Sequence, residues 1–334
     1  MTRRVLVVGG GISGLATAVA LGTRGHEVLV LEQRPVFAGS AAGTRLTPHD
    51  FRLLDLLGVG HAVRERSLAL DELRVLDGST GALVASLPGH ATAHRLDLYE
   101  PLLDACHALD AVRLRPGSRV TGRTRHGATV TVALADGRAV TGDALVLTGG
   151  ARRHDEGVEG GEGGDADTVY RTVVPMEAVA ERWQESAATC WVGEDWRVSH
   201  YPLPDHRYLG LSATRHRGGG RAGTAAGRVR PEDVLAAFPD AGRGARDVLA
   251  LGEHWRAWSV PGRRTAPVPV SASARGRVAL VGATAHGVRR LGRSCVHEAL
   301  DGAVALGAAW DASTRLGDRT PPDRRFLPTG YGAL

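Results

Sequence analysis

Gly9-Gly10-Gly11-Ile12-Ser13-Gly14 follows directly on an apolar tetrad, Val5-Leu6-Val7-Val8, and that junction limits what the chain can fold into more than any other feature. Residues 13–24 have helical spacing, with Leu15, Ala18, Val19 and Leu21 available for one face, and residues 27–31 are a second apolar run ending at Glu32. The unit is β-α-β, and parallel strands joined by a crossover require a sheet covered by helices. In GxGxxG the first glycine makes the tight turn, the second lets backbone N–H groups approach a pyrophosphate, and the third lets the helix pack close. The N–H groups at the helix start and its dipole favour the anion. Glu32, at the end of the second strand, can accept from both ribose hydroxyls and would repel a 2′-phosphate. An adenine dinucleotide site is implied, the alternative being a glycine-rich turn in an ordinary α/β domain.

Further along, the spacing predicts a helix over 47–57, with Thr47 as N-cap and Pro48 in the first turn, and another over 97–109, with Leu98, Leu102 and Ala105 on one side. Strands over 119–124 and 128–134, a turn at Asp136-Gly137 and a strand over 144–147 make a hairpin layer feeding back into a buried strand. Two glycine-rich connections, 157–164 and 217–227, bracket a region rich in Val, Trp and Tyr that reads as a second, sheet-dominated domain. After Arg230 the chain is helical to about Leu251, then returns to a buried strand over 277–281 and a long helix over 293–310. The fold class expected is α/β: a doubly wound dinucleotide-binding domain with an inserted antiparallel β-sheet domain. The expected boundaries are 1–165, 166–228 and 229–334, and 334 residues are ample for two cores.

The net charge of +5 would ordinarily raise the question of nucleic acid. Here all 41 basic residues are arginine, Lys and Asn are absent and Ile12 is the sole isoleucine, which is the mark of a GC-rich coding bias. No basic segment is interleaved with aromatics, so no nucleic-acid partner is expected. The opening Met1-Thr2-Arg3-Arg4 imitates a signal peptide, yet its apolar run is too short, and no stretch reaches the ~18 apolar residues of a membrane span. Cys106, Cys190 and Cys295 are odd in number and far apart, which points to free thiols, no metal site and a cytoplasmic setting.

The run Arg4 through Leu15, then Leu31-Glu32-Gln33-Arg34-Pro35, resembles the opening of the FAD-dependent aromatic hydroxylases of the para-hydroxybenzoate and salicylate hydroxylase type. Further matches follow in the family's order: Thr47-Pro48 with residues 53–58, His94-Arg95-Leu96-Asp97-Leu98, Tyr170-Arg171-Thr172-Val173-Val174-Pro175, and residues 276–282 ahead of His286. The resemblance implies FAD held by Gly9, Gly11, Ser13, Gly14, Glu32, Gln33, Arg34, Arg95, Gly282 and Ala283, with NAD(P)H as external reductant. It also implies a substrate pocket roofed by the inserted sheet.

Two motifs depart from the family. Beyond Leu147 the chain has Thr148-Gly149-Gly150 where a Gly-Ala-Asp-Gly stretch is expected, and at the second flavin motif Gly282-Ala283-Thr284-Ala285-His286 replaces Gly-Asp-Ala-Ala-His. Ala283 cannot accept the ribityl hydrogen bond of the family's aspartate, and Arg293-Ser294-Cys295 puts side chains where a Gly-Gln-Gly loop normally approaches the flavin. Weak or sub-stoichiometric FAD is the expectation. Three readings stay open: a flavin-dependent monooxygenase acting on an aromatic or polycyclic molecule of bacterial secondary metabolism; a flavin-free relative performing cyclisation, dehydration or isomerisation; and a non-catalytic partner of a hydroxylase. Candidate chemical residues are His286, His200, Tyr201 and Arg45. His286 also has a purely structural reading, and Cys295 reads as a small buried residue. On the inserted sheet Trp196, His200 and Tyr201 alternate, so some face the pocket and some face away. Arg45 and His49 fall where the family's chain passes the flavin edge.

Overall fold

In the computed structural model, residues 2–38, 43–148, 166–216, 227–261, 277–282 and 295–315 are described. Strands β1 (Arg4–Val8), β2 (Glu27–Leu31), β8 (Val112–Arg115), β12 (Ala144–Thr148) and β19 (Val278–Val281) form one parallel sheet in the order β19-β12-β1-β2-β8. Val5 lies opposite Val28 and Ala144, and Leu145 opposite Val278, so the late strand rejoins the first domain as expected. Alternation along β1 sorts its side chains between two layers. Val5 and Val7 pack against helices α1 (Ile12–Gly22), α4 (Arg95–His107) and α7 (Cys295–Arg315), whereas Leu6 and Val8 pack against the meander β9 (Val120–His126), β10 (Thr129–Leu134) and β11 (Ala139–Gly142). Each such fully buried Val or Leu contributes roughly 1.5–3 kcal/mol. Gly22 ends α1 against β8, where an added Cβ would meet Val112 at 2.6 Å.

Helix α2 (Pro48–Leu56) starts as expected: Thr47 Oγ1 accepts from the Asp50 N–H, and the Asp50 carboxylate accepts from the Thr47 N–H at 2.7 Å, a reciprocal capping box. Helix α3 (Gly60–Glu65) follows. A small sheet, with β7 (Ala91–His94) between β3 (Gly43–Leu46) and β4 (Leu68–Ala69), links this half to the other.

Among the described residues the second sheet has eight strands, in the order β17-β18-β13-β16-β15-β14-β5-β6. It is built from β5 (Glu72–Asp77), β6 (Leu83–Leu87), β13 (Ala166–Pro175), β14 (Ala187–Val192), β15 (Trp196–Pro202), β16 (Tyr208–Arg215), β17 (Gly227–Val229) and β18 (Trp255–Pro261). Here the expected boundaries need correction. Residues 72–87 leave the first segment to join this sheet, and α5 (Pro231–Ala236), α6 (Arg243–Ala250) and β18 belong to it rather than to a returning third segment. The pairing of β5 with β14 is parallel, so the sheet is antiparallel except at that junction. Strand pairing over a hundred residues leaves no local trace in composition, which is why the glycine-rich connections misled the boundary.

Candidate functional site

The glycine turn forms an anion cradle. Gly9 has φ +108°, and its N–H donates to the Leu31 carbonyl at 2.9 Å, tying β1 to β2 as the chain leaves the sheet. A Cβ on Gly14 would stand 1.8 Å from the Gly9 carbonyl oxygen, so only glycine lets α1 begin there. A Cβ on Gly11 would meet nothing within 4 Å: above it lies open space facing the first turn of α1, which has no side-chain cap. Backbone donors, a helix start and open room at one glycine are what a pyrophosphate requires. Glu32 accepts from the Gly10 N–H at 2.6 Å and the Arg34 N–H at 2.9 Å, so it braces the loop as well as presenting its remaining lone pairs to a ribose. Gln33 and Arg34 are exposed beside it, the Arg34 guanidinium donating to the Ala38 carbonyl. Gly282 has φ +74° and sits so close to α1 that a Cβ there would lie 2.4 Å from Ser13 Oγ. Arg95 opens α4 and is half-buried. Thr148, just ahead of the altered motif, donates its hydroxyl to the Val8 carbonyl at 2.9 Å and so ties β12 to the end of β1. The residues present thus fit the adenosine-diphosphate half of FAD. Ala283, His286, Arg293 and Ser294 lie outside the described residues, as does the side chain of Cys295.

The second sheet has two unlike faces. Trp196, Val198, His200, Leu209, Leu211 and Trp191 point to α5 and α6 and pack with Val234, Phe238 and Val248. The other face looks toward β3: the Tyr201 hydroxyl donates to the Gly43 carbonyl at 3.3 Å, and the Thr92 hydroxyl to the Pro202 carbonyl at 2.7 Å. Of the sheet candidates only Tyr201 is therefore on the inner face. His200 lies on the far side, its ring 5.2 Å from that of Trp183 and 5.5 Å from that of Trp191, and burial with the charge of Arg74 pushes its pKa down to about 4. It is a neutral packing histidine.

What the inner face carries instead is charge, of which the sequence singled out Arg45 but not Arg197. Arg171 and Arg197 stand there with Ser199, Ser212, Thr214 and Cys190. Burial, then the guanidinium of Arg45 reaching across from β3 and that of Arg171, lower the pKa of Arg197, with Cys190 and Asp167 opposing. Arg45 thus joins the inner face and pairs in register with Thr92. His90, nearby, is pushed down first by burial and then by Arg45.

A third group lies between α2 and α7. His297 Nδ1 is 2.7 Å from Asp50 Oδ1, both side chains being buried, and the His49 ring is 5.1 Å from that of His297. Burial alone would raise the Asp50 pKa, but hydrogen bonds from His297 and Thr47 outweigh it and hold the carboxyl below its usual range.

Residues 7–58 match the family model of an NAD(P)-binding Rossmann-like domain. The chain is 31% identical to 3-hydroxybenzoate 6-hydroxylase of Polaromonas naphthalenivorans (strain CJ2) over 319 residues, covering 91% of this chain and 78% of that one. It is 27% identical to 3-amino-4-hydroxybenzoate 2-monooxygenase of Streptomyces platensis, over 85% of this chain and 73% of that relative. Among solved structures, a salicylate hydroxylase in complex with substrate superposes with a TM-score of 0.72 at 20% identity, over 92% of this chain and 79% of that one. With its glycine cradle intact and the hydroxybenzoate hydroxylase likeness running through both sheets, the chain belongs to the family of FAD-dependent aromatic hydroxylases.

Proposed function

We propose that this chain is an NAD(P)H-dependent monooxygenase that hydroxylates an aromatic acid, in a branch of bacterial secondary metabolism. The observation that carries the acid is the inner sheet face, where Arg171 and Arg197 stand with Arg45 across from them, between the two halves of the molecule. Several half-buried guanidinium groups on one face favour an anion beside them, and a carboxylate matches a guanidinium fork. FAD, when bound, supplies the activation of O2, so that one oxygen atom enters an electron-rich ring carbon and the other leaves as water with the two electrons of NAD(P)H. This chain's residues do the rest. Gly9, Gly11 and the start of α1 hold the pyrophosphate, and Glu32 takes the ribose. Arg197 and Arg45 fix the acid, Ser199 and Ser212 offer hydroxyls to ring substituents, and Tyr201 and the apolar residues around Cys190 exclude water from the reacting carbon.

The test has two parts. Titration with FAD should shift the flavin absorption and saturate at one FAD per chain. The loaded protein should then couple NADH or NADPH oxidation to hydroxylation of 3-hydroxybenzoate far better than of neutral 3-hydroxybenzyl alcohol. Arg197→Gln should raise KM for the acid about ten- to a hundredfold, the value of a charged hydrogen bond, and leave the alcohol unchanged. A protein that leaves the flavin spectrum undisturbed, or converts acid and alcohol equally well, overturns the reading.

A further inference from the structure

The register of the eight-stranded sheet aligns one row of side chains across it. Arg228 on β17 lies opposite Arg256 on β18, Arg256 opposite Arg171 on β13, Arg171 opposite Ser212, Ser212 opposite Ser199, and Ser199 opposite Cys190. Directly paired residues share a face, so three guanidinium groups stand side by side on adjacent strands, followed inward by two hydroxyls. Like charges placed directly opposite destabilise a sheet, and sheets ordinarily avoid them. Among the described residues Arg228 and Arg256 are exposed and have no ion pair. The one carboxylate on this face of β13, Asp167, is four residues along and lies 3.1 Å from His216. Arg171 is held over the ring of Trp258, 5.6 Å from its centre, with its Nε buried and without a hydrogen-bond partner among the described residues. Three guanidinium groups side by side, with no carboxylate paired to the outer two among the described residues, favour an anion laid along the row.

We propose that Arg228, Arg256 and Arg171 form a docking subsite for a diphosphate group, distinct from the glycine cradle and leading inward along Ser212 and Ser199 to the acid-binding arginines. Strands are spaced about 4.8 Å apart, so the three forks cover roughly 10 Å. One carboxylate saturates a single fork, whereas two linked phosphates fill a line of them. The diphosphate has two possible sources, the dinucleotide reductant or a substrate that carries one. The subsite stands whichever it is, and its test does not depend on turnover.

Binding of inorganic pyrophosphate is measured by calorimetry on the protein loaded with excess FAD, which occupies the glycine cradle. The variants are Arg228→Gln/Arg256→Gln and, as a control for general basicity, Arg125→Gln on the exposed meander. The double variant should weaken pyrophosphate at least tenfold, about one charged hydrogen bond, while Arg125→Gln leaves it unchanged. The wild-type affinity should fall steeply with salt. No pyrophosphate binding, or equal loss in the control, overturns the subsite. Arg171→Lys, which keeps the charge and loses the fork, should also weaken binding, and full retention in that variant counts against the bidentate geometry. The source follows from steady-state kinetics of the double variant. A raised KM for NADH and NADPH at unchanged kcat assigns the diphosphate to the reductant, and unchanged reductant KM with weakened pyrophosphate assigns it to the substrate.

Discussion

His200 makes the acid stability of the sheet domain calculable. Its side chain is 4% exposed between Trp183 and Trp191, and neither ring nitrogen has a hydrogen-bond partner among the described residues. Burial, reinforced by Arg74, lowers its pKa from 6.5 to about 4. In the folded protein the ring is therefore neutral down to pH 4, whereas in the unfolded chain it takes up a proton near pH 6.5. Between those values the unfolded state binds more protons, so stability falls as pH falls, and levels off below about 4. Integration gives a loss of about 2 kcal/mol between pH 7.5 and pH 5, and roughly 3 kcal/mol by pH 4.

Replacing the ring by His200→Phe removes the titration. The larger ring will impose an overpacking cost of about 1–3 kcal/mol, but that cost does not depend on pH. Urea unfolding followed by tryptophan fluorescence reads the right domain, since Trp183, Trp191, Trp196, Trp255 and Trp258 all belong to it. Wild type should lose about 2 kcal/mol more than His200→Phe on going from pH 7.5 to pH 5. His49 and His90, which burial also pushes down, titrate in both proteins and cancel in the difference. Equal losses in the two proteins would refute the neutral, buried ring.

Gly11→Ala should leave the melting temperature of the FAD-free protein unchanged, because its Cβ enters open space, yet weaken FAD at least tenfold by filling the pyrophosphate's approach; Gly14→Ala, with its Cβ 1.8 Å from the Gly9 carbonyl oxygen, should destabilise the protein even without cofactor. Asp50→Asn should cost about 3 kcal/mol in urea unfolding at pH 7, as expected when one partner of a buried pair is removed. The depressed carboxyl pKa means that this contribution is present above about pH 4 and is lost as pH falls through the folded value, so wild type and variant should converge in acid. Cys106, whose thiol burial pushes up to about 12, and Cys190, which is also buried and raised, should resist a thiol reagent in the folded state and react in denaturant without reductant.

The β1-α1-β2 unit, the cradle glycines, the Thr47 cap of α2 and the return of the late strand were all legible in the sequence. Each rests on a local rule: an apolar run of strand length, a glycine where no Cβ fits, a hydroxyl directly ahead of a proline that can open a helix. Trp196, His200 and Tyr201 mark where that legibility ends. Period-two alternation states that neighbours face opposite ways, but which way is inward depends on what the sheet packs against. Helices α5 and α6 cover the face that takes His200, and β3 approaches the one that takes Tyr201. The arginine row depends on the register of β17, β18 and β13, and the Asp50–His297 pair joins residues 247 positions apart. A slip of one residue in any of those pairings would turn the guanidinium groups to the other face. Residue chemistry and local spacing determined the nucleotide half on their own, and strand register and layer packing decided which side chains meet in the other.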